Sequence, residues 1–133
     1  MENNWETFLV QMKKNPANSQ KAIAELASKV DFKMPKDYLD FIAEVDGCEG
    51  MIGNTYLNLW RAEDLIEFNE KYRADEFAPG YFMIGSNLGG TAYAFNKENG
   101  SVVPFEFISI LIDDEPSFLG ANFIEFLKFL ASS

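Results

Sequence analysis

Apolar side chains recur at positions i, i+3, i+4 and i+7 in four segments of the chain, the spacing that lines one face of an α-helix. The four sets are Trp5-Phe8-Leu9-Met12, Ile23-Leu26-Ala27-Val30, Tyr38-Phe41-Ile42-Val45 and Phe123-Phe126-Leu127-Leu130. Pro35 suits the first turn of the third helix, and Gly47 stands where a C-terminal cap belongs. Asn122 with Glu125 resembles a capping box before the last helix. The pattern predicts a further helix over 62–72.

Between the third and the last helix, the apolar period changes. Short apolar runs bounded by Gly and Asn predict strands at 50–53, 55–60, 81–85, 91–96 and 101–107, with 108–112 as a candidate sixth. The glycine-rich segment 85–90 lacks the Lys-Ser/Thr of a phosphate-binding loop and precedes a strand. We therefore interpret it as a tight connection between strands, with contact to a partner or ligand as the alternative. This order of elements favours a single α+β domain over 1–133 with a mostly antiparallel sheet and flanking helices.

The composition supports one hydrophobic core and a cytosolic protein. The 133 residues are 47% hydrophobic, yet no apolar run approaches the roughly 18 residues that a membrane span requires. The N-terminal segment lacks the basic and apolar regions of a signal peptide. Cys48 is the single cysteine and has no internal disulfide partner. These features predict a cytoplasmic location and no membrane association.

Acidic residues are concentrated in one part of the chain. The net charge is −10, and residues 37–76 hold eleven acidic and three basic side chains, a net −8. Such a field repels a phosphate backbone, which argues against direct binding of nucleic acid. It would attract a basic protein partner and accelerate their encounter. The alternative is that the charge serves solubility alone.

The sequence offers little material for catalysis. It contains no histidine, which excludes Ser-His-Asp and Cys-His systems and most zinc sites. Cys48 lies between Asp46 and Glu49, and neighbouring acids raise the pKa of a thiol. The acidic segment 113–115 is better explained as a solvated turn than as a cation site. We expect no enzyme activity, no cofactor and no metal, although a hydrolase that uses paired carboxylates is a third alternative.

The ordered motifs of the chain resemble the SUKH superfamily, whose founding members are fungal regulators of cell-wall assembly. The matching segments are Met34-Pro35-Lys36-Asp37-Tyr38-Leu39-Asp40-Phe41, Asp46-Gly47, Leu59-Trp60, Ile84-Gly85 with Gly89-Gly90 and Tyr93, and Asn122-Phe123-Ile124-Glu125-Phe126-Leu127. The resemblance extends over about 20–131. It departs from the family pattern at Met34, at Asp46 and before the glycine pair, which leaves the subfamily open.

The resemblance implies an α+β fold with a six-stranded sheet, and a role without catalysis. Bacterial members are similar to immunity proteins that neutralise secreted or contact-delivered toxins, often nucleases or deaminases, whereas fungal relatives act as regulatory scaffolds. The compact chain looks like the immunity type, so we expect a basic toxin domain as partner; a regulatory adaptor for an endogenous protein or peptide is the alternative. The candidate contacts are Asp46, Glu49, Glu63, Asp64, Glu67 and Glu70, with Trp60 as a possible anchor or else a core residue. The oligomeric state stays open, since an exposed sheet edge would also allow a dimer.

Overall fold

The computed structural model describes residues 5–17, 19–106 and 119–132. Its helices are α1 (Gln20–Lys29), α2 (Lys36–Glu44), α3 (Ala62–Lys71), α4 (Ala74–Phe77) and α5 (Phe123–Ala131). The prediction of an N-terminal α-helix was wrong, because Glu6–Leu9 forms a single 3₁₀ turn. The short α4 was not predicted. Asn122 is confirmed as the N-cap of α5, since the Glu125 N–H donates to Asn122 Oδ1 at 2.9 Å.

The strands form one antiparallel sheet in the order in which they occur along the chain. They are β1 (Lys13–Lys14), β2 (Cys48–Ile52), β3 (Thr55–Leu59), β4 (Tyr81–Ser86), β5 (Thr91–Asn96) and β6 (Val102–Glu106). The predicted α+β class and six-stranded sheet are confirmed. The sixth strand among the described residues is β1, which the sequence pattern did not indicate. The candidate strand 108–112 and the acidic segment 113–115 lie outside the described residues.

The centre of the core is aromatic and joins α2 and α5 to the sheet. The Tyr38 ring lies 5.0 Å from Phe95 of β5 and 5.2 Å from Phe123 of α5, measured between centroids. Phe126 of α5 packs against Tyr93 at 5.1 Å. All five rings of this region, Tyr38, Phe95, Phe123, Phe126 and Tyr93, are at most 4% exposed. The predicted apolar face of α5 is therefore the face that is buried.

Residues with positive φ occur in the loops that lead into β2 and β5. The segment 85–90 joins β4 to β5, as predicted, and the Asn87 side chain accepts hydrogen bonds from the N–H groups of Gly89 and Thr91. Gly47, with φ of +81°, leads from α2 into β2. A Cβ at that position would lie 2.6 Å from the carbonyl oxygen of Leu59, so only glycine permits this approach of the two segments.

The two edges of the sheet differ in how they end. At one edge, β1 consists of two exposed lysines whose register pairs Lys13 with Glu49 and Lys14 with Cys48. At the other edge, β6 contains Pro104, and Val102 forms an antiparallel bridge with Gly120.

Candidate protein-binding surface

Helix α3 carries four of the seven predicted contact residues, and its inner side is fixed to the sheet. Leu65 is fully buried. Asn69 Nδ2 donates to the carbonyl oxygens of Leu65 at 2.8 Å and Met83 at 2.9 Å, and the Met83 N–H donates to Asn69 Oδ1 at 2.8 Å. The side-chain amide thus supplies β4 with the pair of hydrogen bonds that a neighbouring strand would give, next to the register shift between Met83 and Gly85. The orientation of α3 follows from these contacts.

Asp46 holds the beginning of α3 and is not a surface residue. It is only 6% exposed. Its carboxylate accepts hydrogen bonds from the Ala62 N–H at 2.8 Å and from Arg61 Nε at 3.1 Å. Arg61 is the N-cap residue of α3, and its own side chain makes no capping hydrogen bond. Asp46, which lies 16 positions before Ala62 in the chain, therefore satisfies the N–H group of Ala62 in its place. The structure therefore places the predicted contact Asp46 in the interior, where it holds α3, and not on the exposed surface.

Trp60 is a core residue, which decides between the two alternatives that the sequence left open. It is 6% exposed. Its ring packs edge-to-face on Phe68, with 4.9 Å between centroids, and stacks on Tyr72 at 6.1 Å with an angle of 25° between the ring planes. Phe68 belongs to α3 and Tyr72 is its C-cap residue, so the side chains of this helix cover the Trp60 ring. Trp60 therefore cannot act as an exposed anchor for a partner.

The outer side of α3 presents an acidic ridge, formed by Glu63, Glu67 and Glu70. Their spacing of four and three residues places them on one exposed helix face. Glu63 pairs with Arg61 Nη1 at 2.8 Å. The hydrogen bond from Arg61 to Asp46, and then the nearby charge of Glu63, raise the pKa of Arg61. Glu67 and Glu70 form no ion pair with another described residue. The ridge therefore keeps negative charge available to a partner.

Glu49 and Asp64 lie on a different side of α3 from the ridge. Both line a cleft of about 290 Å³ between the β1–β3 end of the sheet and α3, together with Trp60 and Phe68. Glu49 accepts a hydrogen bond from the Tyr56 hydroxyl at 2.7 Å, which raises the pKa of Tyr56. Of the seven predicted contacts, the structure thus leaves five at or near the surface and divides them between two sides of one helix.

A groove that the sequence did not predict runs between α1 and α3. It consists of two adjoining clefts of about 330 and 340 Å³, which we call the α1–α3 groove. Lys29 and Ile66 line both clefts. The first is also lined by Glu25, Leu26, Ala62 and Glu63. The second is also lined by Val30, Glu70, Asp75, Tyr81 and Phe82.

A sequence profile of the SMI1 / KNR4 family (SUKH-1) matches residues 17–128 of this chain. The chain belongs to this family. The match includes α1 to α4, β2 to β6 and the first six of the nine residues of α5, and it confirms the resemblance seen in the motifs. Domains of the SUKH-1 family are often immunity proteins, and its members are generally immunity or regulatory proteins without catalytic activity.

A relative of this SUKH-1 chain is the uncharacterized protein YnaB of Bacillus subtilis (strain 168). It is 34% identical over 77 residues, which is 58% of this chain and 49% of YnaB. The chain therefore matches about half the length of that relative.

The described residues of the SUKH-1 chain contain no cluster of metal ligands, and their one cysteine is buried. No group of three or more acidic or cysteine side chains there is placed to hold a metal ion. Cys48 is 2% exposed, and burial raises the pKa of its thiol to about 12, so the thiolate is scarce at neutral pH. None of the described helices is long and apolar enough to cross a membrane.

Proposed function

We propose that this chain is an immunity protein that binds and neutralises a cognate toxin, secreted or delivered by contact. Its partner is a basic, nuclease-type toxin domain, and neutralisation occurs through occlusion of the toxin surface in the cytoplasm. The proposal excludes catalysis, a cofactor and direct contact with nucleic acid. The observation that carries it is the acidic ridge, whose exposed carboxylates extend from a helix that is rigidly attached to the sheet.

Charge and rigidity support this function together. A nuclease needs a basic surface to grip a phosphate backbone, and a ridge of fixed carboxylates is complementary to such a surface. The chain has a net charge of −10, so its long-range field also steers a basic partner toward it. Since α3 is held by Asp46 at its first turn and by Asn69 further along, little ordering is required when the partner binds.

The first experiment tests neutralisation. The adjacent large open reading frame should encode a secretion-type N-terminal region and a basic C-terminal domain. That C-terminal domain, produced in cells, should arrest growth, and co-production of this chain should restore it. Equal arrest in both cultures, with no complex on size-exclusion chromatography, refutes the immunity function for that pair. Growth without arrest, combined with capture of an endogenous protein, supports the adaptor instead.

The second experiment tests the ridge and its flank by association kinetics with the same C-terminal domain. The triple variant Glu63→Lys, Asp64→Lys, Glu67→Lys should slow association about tenfold or more at low salt, and the difference should shrink at high salt. A matched triple variant, Asp40→Lys, Glu98→Lys, Glu125→Lys, makes the same change in net charge elsewhere on the surface. Equal slowing in both variants would mean that only the net charge matters, and no slowing in either would place the interface elsewhere.

A further inference from the structure

The α1–α3 groove has the features of a binding site for part of a protein chain. Its floor is apolar, formed by Leu26, Val30, Ile66 and Phe82. Ile66 and Val30 are only partly buried and pack on the core. An apolar floor that stays open to solvent gains free energy when a partner side chain covers it.

The charges along the groove fall into two groups. The first group is already paired: Lys97 Nζ lies 2.7 Å from Asp31 Oδ1, and Arg61 bridges Asp46 and Glu63, a trio that keeps one net negative charge. The second group forms no ion pair with another described residue and consists of Glu25, Glu70, Asp75 and Lys29. Three carboxylates therefore face one ammonium group, and each cleft has at least one available carboxylate at its rim.

We propose that the α1–α3 groove binds an extended, basic segment of the partner. One apolar side chain of that segment covers Ile66 where the two clefts meet. Flanking lysine or arginine side chains lay their aliphatic stems on the apolar floor and direct their charges to Glu25 in the first cleft and to Glu70 and Asp75 in the second. This inference rests on the proposed function and adds the groove to the acidic ridge as a second part of the interface.

A cysteine-labelling experiment tests the site directly. The native Cys48 is buried and its thiol pKa is raised to about 12, so a single engineered cysteine can be labelled selectively with a maleimide. Lys29→Cys places the probe between the two clefts, on the exposed side of α1. Val10→Cys is the control, since Val10 is 74% exposed and lines neither cleft. Circular dichroism confirms that both variants fold.

The probe molecule is the purified C-terminal domain used above. At saturation it should slow labelling of Lys29→Cys by about tenfold or more, in proportion to occupancy, and leave Val10→Cys within about twofold. If a complex forms and Lys29→Cys reacts at its free rate, the groove is not the binding site and the immunity function stands. If no complex forms, the proposed function fails and the inference fails with it. Slowing of labelling at high concentration of the variant alone would instead identify a second copy of this chain as the occupant.

Charge variants separate a local contact from the general field. Glu25→Lys and Glu125→Lys make the same change in net charge on exposed helix positions, one at the groove and one on α5. The first should weaken binding of the C-terminal domain by about tenfold or more and the second by less than about threefold. Lys29→Gln should strengthen binding, because it removes the unpaired ammonium group that opposes a basic segment. Equal effects of the two glutamate variants would overturn the inference.

Discussion

Replacing Asp46 with alanine should lower the free energy of unfolding by about 2 kcal/mol. The substitution removes the hydrogen bond to the buried Ala62 N–H, and loss of such a cap costs about 0.5–2 kcal/mol. It also removes the ion pair with Arg61, which adds little because the Arg61 side chain is 50% exposed and water screens the pair. Asp46→Asn keeps an oxygen for Ala62 and should lose only about 1 kcal/mol.

Urea unfolding followed by tryptophan fluorescence measures these changes, since Trp60 reports on its contacts with α3. The control is Asp40→Ala, because Asp40 is 54% exposed and its ion pair among the described residues is with Lys36, one turn earlier. The loss of stability in this variant should stay below about 0.5 kcal/mol. If Asp46→Ala is no more destabilising than Asp40→Ala, then the carboxylate does not hold α3, and Asp46 would again be a candidate for direct contact with the partner.

Three other substitutions test buried groups. Asn69→Leu should cost about 2–4 kcal/mol in urea unfolding, because it leaves the N–H and C=O of Met83 without their partner; a loss below about 1 kcal/mol would contradict this. Tyr38→Phe should leave stability unchanged or raise it by up to about 1 kcal/mol, since the buried Tyr38 hydroxyl has no hydrogen-bond partner among the described residues; a clear loss of stability would reveal a partner. Burial raises the pKa of Cys48 from 9.0 to about 12. Above about pH 9 the thiol ionises in the unfolded chain but not yet in the folded one, so the free energy of unfolding is fully retained below about pH 9 and falls between pH 9 and 12. Cys48→Ala should reduce that decline, and an unchanged pH profile would mean that the thiol is not buried.

The spacing of apolar residues predicted the helices and strands that are encoded by their own segments of the sequence. The apolar period located α1, α2, α3 and α5, and the bounds of the five longer strands were predicted to within about two residues. Strand β1 could not be found in this way, because two lysines have no period and become a strand only by pairing with Glu49 and Cys48, some 35 positions away. The apolar spacing at the N-terminus predicted an α-helix that does not form, because a 3₁₀ turn also places Trp5 and Leu9 in the core.

The contact residues were predicted from charge, and charge does not show which way a side chain points. Asp46 was indistinguishable from its exposed neighbours until α3 was placed beside it. One signal was available, however. A helix that begins after Leu59-Trp60-Arg61 has no Ser, Thr, Asp or Asn at its N-cap, so a cap must come from elsewhere in the chain. The groove is beyond such reasoning, because it arises only from the packing of α1 against α3.

The edges of the sheet affect the tendency of this protein to aggregate at high concentration. A free sheet edge is a template on which another chain can add a strand, and this is a common route to aggregation. Here the strand at one edge, β1, has only two residues, both lysines of like charge. The strand at the other edge, β6, contains Pro104, which has no N–H to donate, and is bridged at Val102 by Gly120. These features oppose strand addition at both described edges. A chain with a net charge of −10 and edges of this kind should therefore have a low tendency to stack into fibres at high concentration.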